Sequence, residues 1–455
     1  MKIDTIVAAL AAIPAGTLSD WRLVSTEKTA RQRFYIGKCL DQKRAIDVTE
    51  CKLTVYSDSS ENGTAYRGEA TVTLHPSDTP EEMNRILVHA AFSASTSRTP
   101  HFDLPGPSDT RTPILVSGFE SGMGTEKGTD IFESHMDTLA GALFAPDRGS
   151  APGTSTVEAA AAPRINSLEL FLTRKVTRIV NSRGIDLSFL QWQGDCEFIV
   201  QADGPSGSVE LYKSFGFSEP DTARLSEETA SYLGLVADRA LAIPMPALAD
   251  IPVILRGESA EAIFGWFHDR ARADLVYTKA SPFSIGSAIQ GDGPVADPLD
   301  TAGEAAIPGL PQSAPRDSDG FPLAATPVIR GGKVVALHGP ARYASRLGVE
   351  ASGSLPLFSV SPGSKSLAEI LALPHLEAFV FSDFQIDQMS GSFGAEVRLA
   401  YWFDGHRRIP VTGGSITGSL MENRASLVRS SERAVSSRSL CPIAALLPSA
   451  SITGA

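Results

Sequence analysis

No apolar run in this chain approaches the roughly 20 residues that a membrane-spanning helix needs. The one candidate for a leader, Ile6–Ala15, is short, follows Asp4 and lacks a basic cluster, so an amphipathic first helix ending near Pro14 is the expectation. Cysteine is scarce: Cys39, Cys51, Cys196 and Cys441 are too few and too scattered for a disulfide framework, and none forms a C-x-x-C pair. Cys39 and Cys51 have the spacing of residues that a hairpin brings together, but four reduced thiols in a cytoplasm are expected. Phosphate-binding glycine motifs of the G-x-x-x-x-G-K-[ST] and G-x-G-x-x-G types are missing, which leaves nucleotide binding without support. So is a G-x-S-x-G nucleophile elbow. None of the eight histidines is followed by Glu, so no helical H-E zinc motif exists. Excess positive charge is absent too. The net charge is −12, which argues against sequence-independent nucleic-acid binding, a contact made by Lys and Arg on phosphates.

What is present is an ordinary globular composition. The chain has 455 residues and is 42% hydrophobic, enough for two or more domains with their own cores. Alternating apolar and polar residues predict strands at Arg33–Gly37, Ala45–Ser57 and Ala65–Leu74, with Asn62-Gly63 as a hairpin turn. Pro80–Ala94 reads as a helix capped by Thr79, with Glu81 and Glu82 at its positive end. A second helix is expected over Gly128–Ala145, with Ile131, Met136, Leu139 and Leu143 inward. Ala145–Ala162 is a low-complexity connector. Strands follow at Ser167–Leu172, Lys175–Val180, Ile185–Gln193, Glu197–Ala202 and Ser208–Phe217, then a helix over Arg224–Leu241. The Pro-rich Ile243–Pro252 reads as a crossing into a second domain, and Glu258–Ala271 as its first helix. These elements give an α+β chain of two domains, residues 1–248 and 249–455, the second largely antiparallel β. Ala280–Pro315, rich in Gly, Pro, Ser and Ala, reads as a long loop.

Glu133, His135 and Asp137 share a helix, but residues two apart point about 200° from each other and cannot share one ion. Asp383 and Asp387 read as a solvated strand end, and Asp404-Gly405 as a tight turn. Asp297, Asp300, Asp317 and Asp319 are the acids left for an unrecognised active site in the 280–320 region. Ser390-Gly391-Ser392-Phe393 is a small-residue loop between strands, where an extended peptide could add to a sheet edge.

The carboxyl-terminal order is a strand at Ala378–Phe381, this loop, an aromatic strand at Val397–Trp402, an Asp-Gly turn, Ile409-Pro410-Val411 and a Gly-x-Ile-x-Gly-x-Leu strand. It resembles the core of the TldD/TldE (PmbA, modulator of DNA gyrase) metalloprotease family. Val180–Gly184, Ile251–Leu255, Asp317–Pro322 and Val360–Ser366 fit the same pattern in the same order, so the resemblance covers about residues 160 to 455. It implies a TldD/PmbA-like fold with a mixed first domain, and a place for the 280–315 region near a substrate channel. In the zinc-bearing subunit of that family, a His-Glu-x-x-x-His helix and a later Cys hold the metal. Here Gly265, Trp266 and Arg270 fall in the three helical slots, His268 sits between them without a companion, and Cys441 lies too near the end. The resemblance therefore implies a TldE-like subunit with no catalytic residues, metal or cofactor of its own. Its expected partner is a zinc-bearing TldD-like homologue in a cytoplasmic complex that degrades or trims unfolded or modified peptides. A stand-alone peptide-binding scaffold, such as a homodimer in a peptide-maturation pathway, is the alternative. Neither reading involves nucleic acid or membrane.

Overall fold

A computed structural model describes residues 3–13, 17–107, 129–148, 162–249, 251–291 and 293–455. The expected connector at 145–162 lies mostly outside the described residues, as does the side chain of Ile131.

Seven strands, β1 (Asp20–Ile36), β2 (Cys39–Glu61), β3 (Thr64–Leu74), β4 (Thr99–Pro100), β5 (Arg164–Asn181), β6 (Asp186–Gly204) and β7 (Gly207–Phe217), form one antiparallel sheet. Their order is β4-β3-β2-β1-β5-β6-β7. The Asn62-Gly63 turn forms as expected, both residues taking the positive φ (50° and 80°) that a two-residue hairpin requires. The strands are longer than the sequence pattern indicated. Arg174 and Lys175 interrupt the apolar alternation without breaking β5, because no Gly or Pro there ends the ladder. Gly194, read as a gap between two strands, lies inside β6. A Cβ there would meet the Phe217 ring at 2.2 Å, so glycine admits a close approach between strands. Cys39 and Cys51 lie on the same strand, twelve positions apart, and are not neighbours across a hairpin; all four cysteines are free.

Helix α1 (Ile3–Ala11) and α2 (Pro80–Thr96) cover one region of this sheet through Ile6, Leu10, Met83, Leu87 and Ala90. Thr79 caps α2 in a reciprocal capping box with Glu82. Helix α3 (Thr129–Phe144) buries Phe132, Met136, Leu139 and Leu143. Its Glu133 and Asp137, one turn apart, clamp Arg33 at 2.7 and 2.6 Å. Helix α4 (Thr222–Ala240) packs on β6 and β7.

The remaining residues form two mostly antiparallel sheets, giving a mixed α/β protein. The larger, of nine strands, is centred on His375–Ile386 and Ser392–Phe403; the smaller has six. Helix α5 (Gly257–Asp269) buries Ile263, Phe264, Trp266 and Phe267, and with them the polar Glu261 and His268. The stretch 280–315 is not a plain loop. Thr301–Glu304 is an inner strand of the six-stranded sheet, between Thr326–Arg330 and Leu357–Val360. It is only four residues long and carries a glycine packed under Leu355, so no hydrophobic period betrays it.

The two halves share a core. Val380, Leu399 and Tyr401 pack with Trp192, Phe198 and Leu233, and the Tyr401 hydroxyl donates to Asp238 at 2.5 Å. Arg342 bonds Glu69 at 2.8 Å, and Arg22 pairs with Asp319. The linking segment is itself structured: Ile243–Pro244 pairs with Val411–Thr412 of the nine-stranded sheet. No helix among the described residues is long and apolar enough to cross a membrane.

Candidate functional site

Three features could carry function: a cleft, the helix positions Gly265, Trp266 and Arg270, and a histidine pair.

The cleft, about 730 Å³, opens between the halves. Its walls are β7 from Tyr212 to Gly216, α4 around Tyr232, the first turn of α5, and the segments Phe379–Phe384 and Ala434–Ser437. Three of these walls are strand edges. β7 is the last strand of its sheet, and the strand Arg433–Val435 is the last of the six-stranded sheet. The parallel partner of His375–Ile386 stops at Ala378, leaving Phe379–Phe384 beyond it. Edges of this kind present backbone groups to an added strand. Lys213 crosses the cleft to Glu258 at 2.6 Å, and its ammonium lies 5.4 Å from the centre of the Tyr232 ring. Burial works against the Lys213 charge, but Tyr232 and Glu258 outweigh it and raise the amine above its ordinary value. Arg224, Glu228 and Asp383 add charges of both signs to the lining.

The slots at Gly265, Trp266 and Arg270 face other work. The Trp266 indole N–H donates to the Asp387 carbonyl at 3.2 Å. The Arg270 guanidinium donates to the carbonyls of Gln388 and Ala280, each at 2.6 Å. A Cβ on Gly265 would meet Arg438 at 2.9 Å. These residues do not fit zinc: one has no side chain, one presents only a donor, and one is a fixed cation.

The turn that Trp266 and Arg270 grip contains the expected peptide-contact residues. Asp387 accepts from the backbone N–H of Met389 and Ser390, and from the Ser390 hydroxyl, at 3.1, 2.6 and 2.7 Å. Those bonds, the Ser390 backbone one foremost, hold its carboxyl below the usual range. Gly391 donates to the Asp387 carbonyl at 2.9 Å and accepts from Leu420 at 2.8 Å, and Ser392 accepts from the Asp387 N–H. Phe393 is 4% exposed, in the core. The loop read as an open docking edge is thus closed on itself. Its neighbour Asp383, exposed, accepts from Gln385 at 2.5 Å.

The acids of the 280–320 region are bound as well. Asp317 is buried and accepts from the backbone of Asp319, Phe321 and Ser354. Asp297 accepts from Ser364, and Asp300 from Gly331. They brace turns and do not converge on a cavity as a set.

The expectation that His268 lacks a companion is overturned by His338. The two rings lie 4.3 Å apart at 32°, both buried, with His268 also stacked on Phe358. No sequence signal links residues so distant, since Ala271–Ala273 and His338 are joined by backbone bonds that only the fold creates. Burial, then the neighbouring His338 and Arg438, hold His268 well below its ordinary value; burial likewise lowers His338. Both are neutral imidazoles at physiological pH.

Comparison with known proteins adds a family and a fold. Residues 249–454 match the PmbA/TldA metallopeptidase C-terminal domain family. Across the whole chain the fold is similar to that of a candidate modulator of a DNA gyrase from Thermotoga maritima MSB8, at 15% identity and TM-score 0.76, covering 99% of each chain. It is similar to TldE from Thermococcus kodakarensis at 13% identity and TM-score 0.73, covering 99% of this chain and 98% of that one. A candidate modulator of DNA gyrase from Bacteroides thetaiotaomicron VPI-5482 gives 12% identity and TM-score 0.74, with 99% and 97% covered. No curated protein sequence matches the chain.

Proposed function

We propose, from the match of residues 249–454 to the PmbA/TldA metallopeptidase C-terminal domain family and a fold similar to that of TldE over the whole chain, that this protein is the non-catalytic subunit of a peptidase complex. Its partner is a homologue that bears zinc, and the substrate is an unfolded or modified peptide held in extended form. The observation that supports this is the Arg270 guanidinium on the Gln388 and Ala280 carbonyls, a fixed cation in the slot where the resemblance implies a metal ligand. Peptide hydrolysis needs an activated water and a base to take its proton. The slot residues supply neither.

This chain's contribution is the cleft. A peptide lying along β7 or Phe379–Phe384 would gain main-chain hydrogen bonds, and Lys213, Glu258 and Tyr232 would meet its side chains. The site of action is a cytoplasmic complex, in keeping with four free thiols. The domain division at 248/249 fits a cleft between an amino-terminal wall and the start of α5.

Purification of the chain alone and together with a zinc-bearing homologue tests this. Hydrolysis of an unstructured peptide is expected only from the pair, and is lost on chelation. Hydrolysis by this chain alone overturns the reading. The alternative, a self-associating peptide-binding scaffold, is supported instead if the chain binds peptide, recruits no zinc-bearing homologue and forms only homodimers.

A further inference from the structure

The last turn of α5 brings together a set of donors that the sequence pattern did not indicate. His268 and Asp269 are adjacent on that turn, and His338 reaches them from the segment after Lys333–Val334. One ligand atom from each of the three lies within 4.8 Å of the others. His268 and His338 are 1% and 4% exposed, whereas the Asp269 side chain, at 18%, borders solvent.

Each imidazole is oriented through one of its nitrogens. His338 Nε2 lies 3.2 Å from the His268 carbonyl, which can only accept, so Nε2 carries the proton and Nδ1 the lone pair. His268 Nδ1 lies 3.2 Å from the Thr301 hydroxyl; in the tautomer in which the ring donates to that oxygen, Nε2 keeps its lone pair for an ion. A ring nitrogen bonded to a carbonyl or hydroxyl, with the other left as a base, is how proteins fix histidines that bind metal.

We propose that His268, Asp269 and His338 form a binding site for one divalent transition-metal ion of the zinc type. Two imidazoles and one carboxylate are a borderline donor set, suited to Zn²⁺ or Co²⁺ and unsuited to Mg²⁺ or Ca²⁺, which prefer oxygen and water. The gate is Arg438. Its guanidinium bonds both Asp269 oxygens, at 2.6 and 3.4 Å, and the side chain is 40% exposed, so it can turn out to solvent as the ion arrives.

The site is distinct from the slots on α5 and from the cleft. Trp266 and Arg270 point to the 387–391 turn. The cleft meets α5 from Gly257 to Ala262, and at 1.5 Å per residue the metal would lie about 10 Å beyond Ala262 along the helix. An ion there ties the end of α5 to the His338 segment and activates no water over a peptide. Metal binding and the non-catalytic reading therefore stand or fall separately.

The test uses the full chain stripped by a chelator and titrated with Co²⁺, followed by visible d–d absorption and displacement by Zn²⁺. One ion per chain is expected, and Zn²⁺ should raise the thermal midpoint. H338Q and D269N should each weaken Co²⁺ binding at least tenfold. H375Q, at a buried histidine elsewhere, should leave it unchanged. R438Q, which releases the Asp269 carboxylate, should tighten it severalfold. Circular dichroism of the metal-free variants checks folding; if H338Q does not fold, D269N and R438Q, whose side chains border solvent, carry the test. Absence of saturable Co²⁺ binding by the wild-type chain overturns the proposal. So does binding that D269N leaves intact, that H375Q abolishes, or that R438Q weakens.

Discussion

Gly391 sits under the Trp266 ring so closely that a Cβ on it would lie 2.9 Å from the indole, and its φ of +73° belongs to the left-handed region. The indole in turn donates to Asp387, so helix and turn fix one another. Gly391→Ala should cost about 1–3 kcal/mol through the strained backbone alone. Trp266→Ala should cost about 3–5 kcal/mol, the usual penalty for emptying a buried aromatic site. Urea unfolding of both variants measures this. A loss in either variant below about 0.5 kcal/mol would mean that the turn is not anchored by the helix.

A buried ionic cluster joins the first strands. Arg67, fully buried, bonds Asp20 at 2.7 Å and Asp58 at 2.7 and 2.8 Å, while Arg183 bonds Asp20 at 2.7 Å on both carboxylate oxygens. Arg67→Met should destabilise by about 3 kcal/mol, at the low end for breaking a buried pair because Arg183 still holds Asp20.

The same cluster predicts a pH dependence. Burial alone would raise the carboxyls of Asp20 and Asp58, but bonds from Arg183, Ser182 and Arg67 to the first, and from Arg67 and His101 to the second, leave both below their ordinary value. A depressed carboxylate stabilises the fold above its unfolded pKa near 4 and loses that contribution as pH falls through the folded value. Wild-type stability should therefore decline below about pH 4, and more steeply than in Asp58→Asn. Thermal melts between pH 7 and 3 provide the comparison, and parallel curves would count against the account.

Gly194 and Phe217 form a pair that a double substitution can separate. Gly194→Ala forces a methyl against the ring and should cost about 1–3 kcal/mol. Phe217→Leu in the same chain should recover part of it. If the two losses simply add, the close contact is not their cause.

Within the cleft, Lys213→Glu places two acids together at Glu258. If the chain forms the proposed complex, the fluorescence anisotropy of a labelled unstructured peptide bound to that pair should report at least tenfold weaker binding. Unchanged affinity would place the peptide elsewhere.

Local signals were legible in the sequence where one residue type does one job. Thr79 and Glu82 announced the start of a helix, and Asn62-Gly63 a hairpin. The order of carboxyl-terminal motifs was enough to point to the fold. What stayed hidden depends on partners far along the chain. Thr301–Glu304 is a strand only because two others enclose it. The Ser390–Phe393 loop looked open because nothing in its sequence reveals that Asp387, Leu420 and Trp266 occupy it. His268 appeared isolated because its neighbour His338 is delivered by a separate stretch of chain.

Ile243 and Pro244 are stitched beside Val411 and Thr412, Met245 donates to Thr412 at 2.9 Å, and Ala455 donates to Met245 at 2.9 Å. A tether woven into the sheet this way is no free swivel. A protease nick there should leave two fragments that travel together through gel filtration, and the groove should admit its guest by side-chain motion instead of a swing of lobes.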